Sequence, residues 1–139
     1  MSAVNIPWKK YREIPGNITH VKPQLVGAVN KLDGLVKGAI MVHCLWEERT
    51  TGGYHPMGLA IDFHIEHSHP LDQYFFVERT GLFVGLGIYG IDMWRHPGLH
   101  ADLREDRSAR WAFKSGEGGK RKEVALDKGY VSYLLNIMP

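Results

Sequence analysis

Residues 59–66 alternate, so that Leu59, Ile61, Phe63 and Ile65 share one face of a predicted strand while Ala60, Asp62, His64 and Glu66 share the other. The apolar row is the core face, and the polar row by itself reads as a solvated sheet face. Upstream, Leu25, Val29, Leu32 and Val36 recur at helical spacing after Pro23, which predicts a helix stopped near Gly38. Residues 39–46 form an apolar run of strand length, suited to a strand buried on at least one face, within which His43 reads as a hydrogen-bonded core or edge residue. A helix is predicted from Leu71 or Asp72 to about Thr80, with Pro70 near its first turn and Gly81 at its end.

Residues 85–90 read as a Gly-punctuated strand, and 99–104 as a second strand with Leu99, Ala101 and Leu103 on one face and His100, Asp102 and Arg104 on the other. Joined through the turn region 91–98, the two predict a hairpin. Residues 110–113 add a short strand, residues 114–122 read as a mobile, basic, Gly-containing loop, and Asp127 caps a closing helix through Asn136. That helix mixes Tyr130, Tyr133, Leu134 and Ile137 into its apolar face, and residues 8–14 read as an N-terminal arm or short helix. The sum is an α+β fold in one domain spanning 1–139: a small, mainly antiparallel sheet with helices on one face.

Composition narrows the partners. Seventeen basic and fifteen acidic residues leave a formal charge of +2, too weak a field to argue for nucleic acid or an anionic membrane. The N-terminal stretch lacks the apolar core of a signal peptide and no run is long enough to span a bilayer, so the expectation is a soluble chain, cytoplasmic as synthesised. Cys44 is the only cysteine; an internal disulfide and a four-cysteine zinc site are excluded, and any metal is expected on His and carboxylate groups.

The stretch from His55 to Asp62 carries the most specific chemistry. Its two end residues are seven positions apart, with Pro56 and Gly58 between them forbidding a continuous helix. A loop turning at Gly58 and feeding a strand would bring the imidazole and the carboxylate to one point, and both are zinc ligands by type. A third ligand must come from elsewhere. His100 is best placed, on the polar face of the second hairpin strand with Asp102 two positions on. His64, His67 and His69 also crowd together, which suggests a metal tract, but they read as rim residues.

The stretches 54–62, 87–89 and 99–104, together with Arg110-Trp111, resemble the signature of the zinc peptidases of family M15, the D-alanyl-D-alanine carboxypeptidases and their phage endolysin relatives. The pattern there is Ser-x-His-x-x-Gly-x-Ala-x-Asp, Gly-x-Gly-x-Tyr, then Val-His-x-Asp-x-Arg followed closely by Arg-Trp. The resemblance covers roughly residues 8 to 113. It implies a hedgehog/DD-peptidase-like fold with the zinc site on the sheet face away from the helices. It further implies that His55, Asp62 and His100 hold Zn2+ and leave a fourth position for water or substrate. The reaction would be hydrolysis of amide bonds in peptidoglycan stem peptides or cross-bridges, of carboxypeptidase or endopeptidase type. The chain would act as a monomer, on the cell wall after release, as phage lysins do.

Three departures from the pattern matter. Where the family often has an arginine just after the buried strand, this chain has Cys44-Leu45-Trp46-Glu47, and the nearest substitute as substrate clamp is Arg49. The catalytic acid that some branches place three residues before the last ligand is here Pro97, which leaves Asp102 or His96 as the general base; Asp102 could equally orient a ligand imidazole. The serine of the first motif is absent. Tyr89 and Arg104 complete the candidate substrate-binding residues, and Arg104 and Arg110 could instead pair with Asp102 or stack on Trp111. The competing expectation is a catalytically inactive, zinc-containing wall-binding or phage structural module.

Overall fold

The computed structural model describes residues 9–10, 17–48 and 53–139. Its strands are β1 (Lys9–Lys10), β2 (Ile40–Cys44), β3 (Ala60–Ile65), β4 (Gly85–Tyr89), β5 (Gly98–Asp102), β6 (Ala109–Ser115) and β7 (Arg121–Val124). Three α-helices are interspersed, α1 (Pro23–Leu35), α2 (Pro70–Thr80) and α3 (Lys128–Ile137). The strands make one sheet in the order β1-β2-β3-β5-β4-β6-β7. Its pairings are antiparallel except for β1 with β2 and β4 with β6. This is an α+β domain with a mostly antiparallel sheet. None of the helices among the described residues is long and apolar enough to cross a membrane.

One side chain row of each central strand makes the core. Ile61 and Phe63 of β3, Leu99 and Ala101 of β5, Leu86 and Ile88 of β4 and Ala112 of β6 are buried together. Leu25, Val29 and Leu32 of α1, Leu71 and Val77 of α2, and Tyr130 and Leu134 of α3 pack into the same cluster. Burial of this apolar surface is the main stabilising term. The helix ends follow local chemistry: His69 Nδ1 accepts from Leu71 N at the start of α2, and Asp127 Oδ1 accepts from Tyr130 N at the start of α3. α1 stops at Leu35, three residues short of Gly38, because Val36 is already extended.

Two expectations are revised. The basic stretch 114–122 is largely a hairpin: β6 runs on through Ser115, a short turn at Glu117–Gly119 follows, and β7 pairs back with Lys114↔Lys122 and Phe113↔Glu123. In the N-terminal arm, Lys9–Lys10 add a parallel edge strand to β2, and the rest of that stretch lies outside the described residues. Arg49 lies outside them as well.

Candidate metal centre

The opposite face of the sheet is polar at its middle. Register sets the row: Asp62 of β3 sits across from His100 of β5, His100 across from Gly87 of β4, and Gly87 beside Trp111 of β6. A Cβ on Gly87 would lie 2.7 Å from the Trp111 indole, so only glycine lets that ring lie across the strand toward His100, 5.3 Å away between centroids.

His55 reaches this row from the preceding loop. Gly58 N donates to His55 O and Leu59 N to Tyr54 O, closing a turn that returns the chain into β3. Gly58 takes φ +72°, and a Cβ there would meet His20 O at 2.0 Å. Its own carbonyl accepts from Lys22 N at 2.9 Å, which ties the turn to the start of α1. The turn that the Pro and Gly required is thus present.

The geometry converges on one carboxylate oxygen. Asp62 Oδ1 lies 3.2 Å from His55 Nε2 and 2.9 Å from His100 Nδ1. The other nitrogen of each ring is spoken for. His55 Nδ1 faces Leu45 O at 2.6 Å, and because a carbonyl only accepts, that nitrogen carries the proton. His100 Nε2 donates to Asp102 Oδ2 at 2.8 Å. Asp102 is 0% exposed, and Arg104 grips it with Nε to Oδ1 at 2.9 Å and a terminal nitrogen to Oδ2 at 2.7 Å. The Arg104 guanidinium is in turn held between the rings of Tyr54 and Trp111, 4.6 and 4.8 Å from their centroids.

The inner nitrogen of each ring thus faces the same carboxylate oxygen, Asp62 Oδ1. A proton or a cation beside that oxygen offsets its charge; imidazole and carboxylate are zinc ligands by type, and here a backbone carbonyl and a second carboxylate hold the outer ring nitrogens. In the metal-free chain protons take that place. Burial disfavours the charge on His55, but the Asp62 carboxylate overrides it and raises the imidazole to about 10. His100 is likewise raised, to about 9, against its burial and by its bonds to Asp102 and Asp62. Burial favours the neutral form of both carboxyls, yet His55 and His100 hold Asp62, and Arg104 and His100 hold Asp102, well below the usual carboxylate range.

The structure also brings in a donor that the sequence reading excluded. Among the described residues, the His, Cys and carboxylate group whose offered atoms all lie within 4.8 Å of one another is Cys44, His55 and Asp62. The cause is a register shift in β2: Val42 sits across from Phe63, but Cys44 sits across from Asp62, so His43 is an inserted residue. Without that bulge Cys44 would share the core face with Ile40 and Val42; with it, Cys44 turns to the polar face. Alternation in the sequence carries no sign of it.

A cleft of about 260 Å³ opens over the row, lined by His55, Asp62, His100, Tyr54, Arg104 and Trp111, and further by Tyr89, Phe113, Arg121 and Glu123. Tyr89 stacks on Phe113 and Trp94, and its hydroxyl accepts from Arg121 at 3.0 Å. Arg121 was hidden in the sequence because residues 114–122 read as a loop, and Glu123 follows it in the same β7 strand. His96 is placed elsewhere on the same face, stacked on His64 at 5.2 Å, and is not among the residues lining the cleft. Arg110 turns to the helical side and pairs with Glu78 of α2. His67 is exposed and His69 serves as the α2 cap, so the crowded histidines do not form one tract.

Compared with protein-family models, curated proteins and solved structures, the chain matches none.

Proposed function

We propose that this chain is a zinc-dependent peptidase of the family M15 kind, with a hedgehog/DD-peptidase-like fold, that hydrolyses amide bonds in peptidoglycan stem peptides or cross-bridges. The observation that carries the reading is the convergence of His55 Nε2 and His100 Nδ1 on Asp62 Oδ1, with the proton of each ring held on its outer nitrogen. When bound there, zinc would polarise a scissile carbonyl and lower the pKa of a water molecule. The residues around it have separable tasks. Leu45 O and Asp102 fix the tautomer and tilt of the two imidazoles. Both Asp102 oxygens are engaged and the group is fully buried, which supports an orienting role over that of general base. Arg104 neutralises Asp102 and stiffens the cleft wall through Tyr54 and Trp111. Tyr89 and Arg121 place a hydroxyl and a cation along the cleft, where a peptide substrate offers carbonyl and carboxylate oxygens.

The full engagement of Asp102 also favours a second reading, a zinc-containing wall-binding or phage structural module that keeps the centre without turnover. Digestion of purified peptidoglycan separates the two. Zinc-loaded wild type is expected to release new amine termini, and His100→Ala to release none above background. A zinc-loaded wild type that releases none while still sedimenting with the wall contradicts the peptidase and supports the binding module.

A further inference from the structure

The centre has one donor that the three-ligand arrangement does not use. Cys44 Sγ lies 3.5 Å from His55 Nδ1, and its β2 position is directly across from Asp62. Its side chain is half-buried and also approaches Glu47 Oε2 at 3.6 Å. Sulfur, imidazole nitrogen and carboxylate oxygen are all zinc donors, and around one ion they settle about 3 to 4 Å apart, given bond lengths of about 2.0 to 2.3 Å. The offered atoms of Cys44, His55 and Asp62 are already within 4.8 Å of one another. The sulfur now lies on the Nδ1 side of the His55 ring, while Asp62 Oδ1 lies on the Nε2 side, so binding requires the thiol to move toward Nε2.

We propose that Cys44 is a metal ligand of this centre, so that in the resting protein Cys44, His55, Asp62 and His100 surround the ion with four protein donors. The inference rests on the zinc reading above and deepens it. A four-ligand centre is closed and a three-ligand centre open. Cys44 therefore occupies the position that water or substrate needs, and shuts the site until it leaves. It is suited to leave: it stands at a bulge near the end of its strand, whereas His55 and His100 are 3% and 8% exposed and are pinned by bonds on their outer nitrogens. On binding, the thiol proton passes to solvent and the sulfur binds as thiolate.

Cobalt(II) added to the metal-free full chain tests this, because a cobalt–thiolate bond gives a near-ultraviolet charge-transfer band that nitrogen and oxygen ligands do not. Wild type is expected to bind one equivalent with that band, and Cys44→Ser to bind cobalt with visible bands only. A second readout needs no variant: bound zinc is expected to slow alkylation of Cys44 by iodoacetamide at least about tenfold, with chelator restoring the rate. Cobalt bound without the charge-transfer band, or zinc bound without protection of the thiol, overturns the ligand and leaves the peptidase reading standing. Failure of wild type to bind either metal overturns the zinc reading, and the cysteine ligand with it.

Discussion

Two clusters of histidines stand on the same face of this sheet, and they behave oppositely. In one, His55 and His100 meet Asp62, with Asp102 and Arg104 behind, and both imidazoles are raised, to about 10 and about 9. In the other, His64, two residues along β3 from Asp62, is hydrogen-bonded to His43 at 2.7 Å and stacked on His96 at 5.2 Å. Burial, followed by the neighbouring His43 and His96, lowers His64 to about 4. The residue type and the sheet face are shared, with His64 on β3, His100 on β5 and His55 in the loop before β3; among the described contacts, the difference is the carboxylate. An imidazole beside a carboxylate holds its second proton, which a metal ion would have to displace, whereas burial beside other imidazoles favours the neutral ring.

The strongest way to break this contrast is to remove its pivot. Asp62→Ala is expected to reduce zinc retention and wall hydrolysis to background, measured by metal analysis and amine release, while leaving the His64 cluster unchanged in its proton titration. Next in size is Asp102→Ala, which removes the carboxylate from the half-buried Arg104 guanidinium and from the buried His100 N–H. It is expected to weaken zinc binding about 10- to 100-fold and to lower stability in chemical unfolding by about 1 to 3 kcal/mol.

The second cluster gives a pH signature of its own. His64 titrates lower in the folded than in the unfolded chain, so between pH 6.5 and about 4 the unfolded chain binds the extra proton. Stability is therefore fully present above pH 6.5 and falls as the pH drops through that window, by an amount on the order of 2 kcal/mol. The difference between wild type and His64→Gln in urea midpoints at pH 7 and pH 5 isolates it; equal slopes for the two contradict the assignment. The smallest effect sharpens the comparison by imitation. Met41 sits across from His64 in the β2–β3 register, so Met41→Glu places a carboxylate beside it. It is expected to raise the His64 pKa by about one unit in an NMR titration.

Much of this was legible in the sequence wherever a local rule applied. The alternation of residues 59–66 placed Phe63 in the core and Asp62 opposite, and the hairpin of β4 and β5 put His100 beside it. The Pro and Gly after His55 announced the turn that returns the ring to Asp62. What was not legible depends on pairing between distant strands. The bulge at His43, which re-aims Cys44, is a property of the β2–β3 register and leaves no mark in either segment alone. The hairpin of β6 and β7 was masked by glycines and lysines that suit a loop as well as an edge strand, and with it went Arg121 and Glu123 in the cleft. The two roles open for Asp102 could be weighed only once Arg104 was seen to occupy its oxygens.

The most direct measurement of the central claim is anomalous diffraction at the zinc edge from crystals grown with one equivalent of zinc. The account predicts a single peak within about 2.0 to 2.2 Å of His55 Nε2, Asp62 Oδ1 and His100 Nδ1. A zinc peak at the His43, His64 and His96 cluster, or no peak beside Asp62, would contradict it.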